Sequence, residues 1–277
     1  SLQVRAKISG SPSWAGVGFT FYDANWNKIG SDISRGVTAT EWSNYLVQSV
    51  APSNAAYVDA WFWKDYNGCL FVDDFCLTST GGTVSSCNKS VLFVVGNTTL
   101  NSGDSWAKSR MEQLGLSVTT IHAAASSATD ANGKGLVVIS STVNSGDIGS
   151  KFTNVAVPIV TWESFIYDDL KMTAASSANY GALSGSCVNI YSPQHALAGG
   201  MSGAPYVYSY NTALGYGTPT SNAIKVAFVC NDFNKWAVFA YEKGSGMSGI
   251  SAPARRVGLF LDNTTANVLT SSGRTFF

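Results

Sequence analysis

Two tryptophans that stand two residues apart, Trp61 and Trp63, are the side chains in the first third of the chain best suited to binding a ligand. They lie in the run Tyr57-Val-Asp-Ala-Trp-Phe-Trp-Lys, where residues alternate as in a half-buried strand. Sugar rings present an apolar face edged by hydroxyls, which suits indole rings beside a carboxylate. The sequence therefore predicts a face that binds polysaccharide or glycan, with these candidates: Arg5, Tyr22, Tyr57, Asp59, Trp61 and Trp63.

The aromatic residues of this strand also allow a packing interpretation. If Val58, Ala60 and Phe62 face the core, the tryptophans project from the other side of the strand. That side binds a ligand, or it packs against another sheet or against the rest of the chain. The sequence leaves both alternatives open.

The elements around this strand are short, and they alternate in hydrophobicity. Leu2, Val4 and Ala6 alternate with polar residues, and Val17 begins a second alternating run. We expect residues 1–78 to form an all-β antiparallel β-sandwich. A polar, glycine-containing linker at 79–89 then separates it from a second domain at 90–277.

The end of the first domain resembles the closing half of jelly-roll carbohydrate-binding modules found on secreted polysaccharide-degrading enzymes. The resemblance rests on the Tyr57 run and on Gly68-Cys-Leu-Phe-Val-Asp-Asp-Phe-Cys-Leu-Thr, whose Val72-Asp-Asp-Phe matches the final strand of those modules. It implies a jelly-roll fold that binds carbohydrate. Such modules carry further strands before the point where this chain begins, so we expect a sandwich that is incomplete at its N-terminus and leaves a sheet edge open.

The pattern changes after residue 90. Ser90 to Gly96 is a continuous apolar strand, and Asp104 to Leu114 has helical spacing. Further strands are expected at 117–121, 135–140, 155–161, 187–191, 206–209, 224–229, 237–241 and 257–261, and further helices near 147–152 and 164–172. Strands alternating with helices predict a doubly wound parallel sheet, with ligand sites beyond the carboxyl ends of its strands.

Residues 90–275 resemble the class I glutamine amidotransferase-like superfamily, in particular its trehalose-utilisation-like branch. The residues that carry the resemblance are Val91-Leu-Phe-Val-Val-Gly-Asn, Val137-Val-Ile-Ser-Ser, Val157-Pro-Ile-Val-Thr-Trp-Glu, His195-Ala-Leu-Ala-Gly-Gly and Ala252-Pro-Ala-Arg-Arg-Val-Gly-Leu-Phe. The resemblance implies a flavodoxin-like fold with a reactive Cys on the turn after Pro158-Ile-Val-Thr. This chain has Trp162-Glu-Ser there, and Phe239-Ala-Tyr-Glu-Lys lacks the partner His. We expect a domain without the catalytic Cys and lean against an enzyme.

A separate hypothesis places Glu163, Ser164, His195 and Glu242 in one hydrolytic or sugar-handling pocket. In the alternative interpretation, His195 braces its loop and Glu163 caps the following helix. Gly96-Asn97 lacks both the GxGxxG and the P-loop spacing, and the two histidines have no metal-binding spacing. We therefore expect no cofactor and no metal.

The five cysteines are candidates for disulfides, or alternatively for small buried apolar residues: Cys69, Cys76, Cys87, Cys187 and Cys230. Only 12% of residues are charged and the net charge is zero, which argues against nucleic acid as a partner. No apolar run is long enough to span a bilayer.

The sequence favours a secreted or cell-surface protein that binds glycan without catalysis, with the second domain as a scaffold. The second hypothesis is a structural subunit of a filament, sheath or surface layer that is completed by other copies of itself. The third is a component of a secreted glycan hydrolase.

Overall fold

The computed structural model describes residues 1–77, 88–263 and 265–277. The chain divides into two compact units, Ser1–Asn88 and Lys89–Phe277. Most of the expected linker, 79–89, lies outside the described residues. Among the helices that are described, none has the length and hydrophobicity needed to cross a membrane.

Residues 1–77 of the first unit form two antiparallel sheets of three strands each. Its strands are β1 (Leu2–Ser9), β2 (Ala15–Tyr22), β3 (Lys28–Gly36), β4 (Ser43–Val47), β5 (Tyr57–Lys64) and β6 (Cys69–Leu77). One sheet has the order β4-β1-β6 and the other has the order β3-β2-β5. Neighbouring strands are antiparallel throughout.

The inward faces of the two sheets share one hydrophobic core. Leu2, Val4 and Ala6 of β1 are fully buried against Val17 and Phe19 of β2. Because alternate residues of a strand point to the same side, the outward residues of both sheets are left for solvent or for ligands. The alternating pattern thus places this core correctly.

Residues of β5 that were expected to be buried in the core are partly exposed. Of the three residues predicted to face inward, only Ala60 packs against the core, while Val58 and Phe62 remain 41% and 40% exposed. A bulge in β6, where Asp74 has a φ of +51°, brings Phe75 within 5.4 Å of Phe62, measured between ring centroids. Within the described residues of this unit, β5 pairs with β2 alone and is an edge strand.

The second unit is an α/β domain built on one large sheet. Its strands are β7 (Ser90–Val95), β8 (Ser117–His122), β9 (Leu136–Ile139), β10 (Ile159–Thr161), β11 (Tyr180–Gly185), β12 (Val188–Ile190), β13 (Thr212–Gly217), β14 (Ile224–Val229), β15 (Trp236–Tyr241) and β16 (Arg256–Gly258). Its α-helices are α1 (Ser102–Gln113), α2 (Ser145–Ile148) and α3 (Ser271–Thr275).

Five strands of this sheet are parallel, in the order β8-β7-β9-β10-β16. Counted along the chain among these five, the order is 2-1-3-4-5, which is the flavodoxin-like arrangement. The order reverses between β7 and β9, where ligand sites form in such sheets. The expected flavodoxin-like core is therefore present.

The rest of the sheet and most of the connections differ from expectation. The sheet is mixed, because β16 pairs antiparallel with β15 and the sheet continues through further antiparallel strands. The expected helix at 164–172 is a 3-10 turn, Ser164–Ile166, and the one at 147–152 is the four-residue α2, which Gly149 ends with a φ of +44°. The segment 206–209 forms isolated bridges rather than a strand.

One buried cation, on β16, is hydrogen-bonded to the segment that precedes β10. Arg256 is fully buried, and its guanidinium donates hydrogen bonds to the carbonyl oxygens of Val155 at 2.6 Å, Val157 at 3.1 Å and Thr153 at 3.3 Å. It also donates to its neighbours Ala254 and Arg255. Loss of hydration lowers its pKa to about 10, so it remains charged at neutral pH.

Candidate functional site

The outward face of β2 is lined by glycines that bring two indole rings down onto the sheet. A Cβ atom at Gly18 would lie 2.6 Å from Cζ2 of Trp61, and one at Gly16 would lie 2.3 Å from Cη2 of Trp14. Both distances are shorter than van der Waals contact. The tryptophan rings therefore occupy the space that side chains at Gly16 and Gly18 would take.

A chain of hydrogen bonds fixes the orientation of the Trp61 ring. Its Nε1 donates to Oγ1 of Thr20 at 3.1 Å, and that hydroxyl donates to Oδ1 of Asp32 at 2.5 Å. Asp32 is also paired with Lys28 at 2.8 Å, and the hydrogen bond from Lys28 lowers the pKa of the Asp32 carboxyl. The indole is thus held by a hydrogen bond from its ring nitrogen as well as by its contact with the backbone of β2.

These side chains surround an open cavity of about 400 Å³. Its lining residues are Trp14, Thr20, Tyr22, Lys28, Asp32, Asp59, Trp61 and Trp63. Trp63 is 62% exposed, and its Nε1 donates to Asp65 at 3.0 Å. The volume lies within the range of small-ligand pockets, which is roughly 300–1,000 Å³. We call this surface, together with the aromatic stack at its end, the aromatic face.

The aromatic face continues to a stacked pair of rings at the start of β5. Tyr57 stacks on Trp26 with ring centroids 4.5 Å apart and planes 8° apart, and Tyr22 lies 5.7 Å from Trp26. Tyr57 is 43% exposed and Trp26 is 63% exposed. Four of the six residues predicted to bind ligand line the cavity, and Tyr57 belongs to this stack.

Arg5 is not on the aromatic face, contrary to the sequence-based expectation. It lies on β1, which pairs with β4 and β6 in the opposite sheet, and it donates a hydrogen bond to Asp73 at 3.0 Å. Its guanidinium lies 4.9 Å from the ring centroid of Trp42. Alternation shows that Arg5 points outward, but only strand pairing decides from which sheet.

Sequence reasoning missed four residues of the face: Trp14, Trp26, Lys28 and Asp32. Trp14 and Trp26 lie in the turns that flank β2, where periodicity gives no direction for a side chain. A usable signal was present in the sequence Ala15-Gly-Val-Gly-Phe, because glycine at alternate outward positions of a strand marks a close approach by another group.

Replacing Gly18 with alanine is expected to lower the free energy of unfolding of the first unit by about 2 kcal/mol, because the new methyl group overlaps both Trp61 and the Ile33 carbonyl, 2.5 Å away. Urea denaturation followed by tryptophan fluorescence measures the change. At Gly36 an added Cβ would have no neighbour closer than 3.8 Å, so Gly36→Ala is the matched control. Equal stability of the two variants would contradict this account of Gly18.

The carboxyl ends of the parallel strands carry a second group of polar side chains, beside α1. Asp104 is 3% exposed and accepts hydrogen bonds from Ser140 Oγ at 2.5 Å and Thr142 Oγ1 at 2.7 Å. Burial raises the pKa of Asp104, which these two hydroxyl groups partly oppose. The cluster ties α1 to the loop after β9.

Glu163 follows β10 at this same edge. Its side chain is buried, and Oε1 accepts a hydrogen bond from the backbone nitrogen of Phe165 at 2.8 Å, so that Glu163 caps the 3-10 turn. Burial raises its pKa to about 7, and the charge of Asp262 adds to this effect. Ser164 is also buried. The capping interpretation of Glu163 is confirmed.

The other two catalytic candidates lie elsewhere. His195 Nδ1 accepts a hydrogen bond from the backbone nitrogen of Leu197 at 3.2 Å, which braces its loop. Glu242 follows β15, which runs antiparallel to β16, and it pairs with Arg255 at the amino end of the parallel strands. Glu242 and Glu163 are therefore at opposite ends of the sheet, and the four candidates do not form one pocket.

Aromatic side chains fill the crevice at the carboxyl edge. Phe277 lies 5.3 Å from Trp106 and 5.3 Å from Trp162, measured between ring centroids. The cavity that remains beside Asp104 and Asp262 has a volume of about 10 Å³. That is room for about one water molecule and not for a substrate.

The cysteines are paired only in part. Cys187 and Cys230 form a disulfide, with their Cα atoms 5.6 Å apart. Cys69 is free and exposed, Cys76 is disulfide-bonded, and Cys87 lies outside the described residues. Within the described part of the chain, no group of three or more His, Cys, Asp or Glu side chains is arranged to hold a metal ion.

No protein-family model matches the sequence, and no significant match to a curated protein was found. Among solved structures, a ThuA-like protein from Bacteroides uniformis aligns with a TM-score of 0.41 and 6% identity, over 72% of this chain and 92% of that one. A glutamine amidotransferase from Thermotoga maritima aligns with a TM-score of 0.41 and 11% identity, over 62% and 75%.

The Clostridium thermocellum xylanase 10B, with its CBM22-1 and GH10 modules in complex with xylohexaose, aligns with a TM-score of 0.24 and 13% identity, over 58% of this chain and 34% of that one. These values are too low to assign an activity or a ligand to this chain. The flavodoxin-like order of the second unit is read from its own strand pairing.

Proposed function

We propose that the first unit binds glycan chains through the aromatic face, as part of a non-catalytic extracellular or cell-surface protein in which the second unit is a scaffold. The observation that carries this proposal is the Trp61 indole, held on the glycines of β2 and bonded through Thr20 to Asp32. It offers a fixed apolar surface beside polar groups, which is what a sugar ring requires.

The length of the aromatic face favours an oligosaccharide over a single sugar. Tyr57 and Trp63 are six residues apart on β5, which corresponds to about 20 Å along a strand. The cavity is open, and the exposed rings of Trp63 and Tyr57 lie toward its two ends. A chain of several sugar units is the ligand that matches this shape.

Two features of the second unit support the extracellular and non-catalytic parts of the proposal. The Cys187–Cys230 disulfide is of a kind that persists in oxidising compartments. The four catalytic candidates are dispersed, and the cavity beside Asp104 and Asp262 at the carboxyl edge has a volume of about 10 Å³. We also propose that the second unit is related to amidotransferases and has lost their catalytic Cys. We propose likewise that the first unit is related to jelly-roll carbohydrate-binding modules.

The double variant Trp61→Ala, Trp63→Ala is expected to weaken glycan binding by about thirtyfold or more, because each ring is a central, largely apolar contact of the kind that dominates binding energy. Affinity electrophoresis on plant, algal and bacterial glycans identifies a ligand, and calorimetry on the double variant measures the loss. Trp42→Ala, beside Arg5 of the opposite sheet, is the matched control and should bind as the parent does.

Unchanged migration of the parent protein on every glycan would remove the support for this function. Binding that survives in the double variant would place the glycan site elsewhere.

A second candidate function, a subunit of an extracellular assembly, is favoured by one observation. Val58 and Phe62 point toward the core but are about 40% exposed on the edge strand β5. A strand from a neighbouring copy would cover such an edge. Large particles in light scattering would support this function, and a strictly monomeric protein at high concentration would contradict it.

A further inference from the structure

We infer that the aromatic face selects its glycan by charge: it takes neutral or amine-bearing chains and rejects acidic ones, and Asp59 is the residue that discriminates. This inference rests on the proposed glycan-binding function and names the chemical class of its ligand.

Asp59 occupies the middle of the face. It lies opposite Thr20 in the pairing of β5 with β2, and along β5 it stands between Tyr57 and Trp61, which point to the same side. Its side chain is exposed and lines the cavity. A glycan that contacts both the Tyr57 stack and the Trp61 ring must therefore pass the Asp59 carboxylate.

The carboxylate of Asp59 is uncommitted. It makes no hydrogen bond or ion pair with any residue in the described part of the chain. Both of its oxygens can accept hydrogen bonds from ligand hydroxyl groups, and such bonds to a charged acceptor are stronger than bonds between neutral groups.

The neighbouring charges do not neutralise Asp59. The cation in the cavity is Lys28, and it is already paired with Asp32, which also holds the Thr20 hydroxyl. The cavity thus contains two carboxylates and one ammonium group, which leaves it one negative charge in excess. At the far end, Asp65 lies beside Lys64, whose Nζ donates to the Asp65 carbonyl oxygen.

Three consequences follow for a chain lying across the face. A neutral sugar donates hydroxyl hydrogen bonds to Asp59, and an amino sugar adds an attraction between opposite charges. A uronic acid places a second carboxylate near Asp59, and Lys28 is already paired with Asp32. The two carboxylates therefore repel each other, and repulsion of this kind gives specificity against acidic chains. Because the face is exposed, this penalty is largest at low ionic strength.

The test uses glycans that share a backbone and differ in charge. Cellohexaose, its C6-oxidised uronate counterpart and a glucosamine hexamer form one series, and mannohexaose with a mannuronate hexamer forms another. Titration calorimetry on the full chain at low salt and at about 0.15 M salt compares their affinities. At low salt we expect the acidic hexamer to bind at least about tenfold more weakly than the neutral one, and the glucosamine hexamer to bind at least as tightly.

The variant Asp59→Asn keeps the size of the side chain and removes its charge. It should weaken binding of the neutral hexamer by about threefold to tenfold and bring the acidic and neutral affinities to within about threefold of each other. Glu41→Gln removes the same charge from an exposed position outside the cavity, so it should leave the ratio unchanged.

The outcomes separate this inference from the function on which it rests. An acidic hexamer that binds the parent as tightly as the neutral one at low salt, or an unchanged ratio in Asp59→Asn, overturns the selection by charge while glycan binding stands. If none of the hexamers binds the parent, glycan binding by the aromatic face fails for both series, and the inference fails with it.

Discussion

Replacing Arg256 with methionine is expected to lower the free energy of unfolding of the second unit by about 3 kcal/mol or more. The guanidinium donates hydrogen bonds to the backbone carbonyl groups of Thr153, Val155 and Val157, and methionine would leave these carbonyls buried without donors. Removing a buried charge also removes its desolvation cost. That gain is the smaller effect here, because the lost partners are backbone groups that the substitution cannot replace with apolar ones.

Urea denaturation of the full chain, followed by circular dichroism, measures this loss. Arg256→Lys retains the charge and up to three donors and should fall between the parent and the methionine variant. The neighbouring Arg255 is about half exposed and pairs with Glu242 at the surface, so Arg255→Met should cost less than about 1 kcal/mol. If Arg256→Met were as stable as Arg255→Met, the carbonyl contacts would not hold this part of the fold.

Replacing Glu163 with glutamine is expected to remove a pH dependence from the stability of the second unit. The pKa of Glu163 is raised from 4.5 to about 7 in the fold, mainly by burial. The fold therefore favours the protonated acid, and the stability from this preference is fully present below pH 4.5. It declines between pH 4.5 and 7, by about 3 kcal/mol in total for a shift of this size.

Glutamine retains the oxygen that accepts the hydrogen bond from Phe165 and cannot ionise. The variant should therefore match the parent near pH 4 and exceed its stability above pH 7 by up to about 3 kcal/mol. Denaturation of both proteins at several pH values gives this difference directly. Glu112→Gln, at an exposed ion pair with Lys108, is the matched control for the loss of a surface carboxylate. A difference for Glu163→Gln that stays constant over this range would mean that the fold does not shift the pKa of Glu163.

The sequence anticipates the aromatic face in part, because alternation determines which side of a strand a residue occupies. It placed Asp59, Trp61 and Trp63 on one side of β5 correctly, since every second residue of a strand shares a face. It also put Arg5 beside them, which was wrong. Outward residues on β1 and β5 belong to different sheets, and that assignment depends on pairing between residues far apart in the chain.

The second unit shows the same division between local and long-range information. Apolar runs such as Ser90–Val95 predict buried strands, and the parallel core follows from several of them. The sequence did not predict the antiparallel strands β11 and β13. They contain glycine and polar residues in place of an apolar run, and they are stabilised by pairing with each other. Likewise, Glu163 and Glu242 both follow strands, and only the opposite directions of β10 and β15 show that they are far apart.

The glycines beneath Trp14 and Trp61 have a consequence for the thermodynamics of recognition. An indole that rests on the backbone and is bonded through its ring nitrogen has little rotational freedom left to lose when a ligand arrives. Immobilising a mobile side chain on binding costs about 0.5–1.5 kcal/mol, and at Trp61 most of that cost has already been met during folding. Trp63 has one hydrogen bond and is mostly exposed, so its ring becomes ordered when the ligand binds, and the cost of this ordering reduces the affinity.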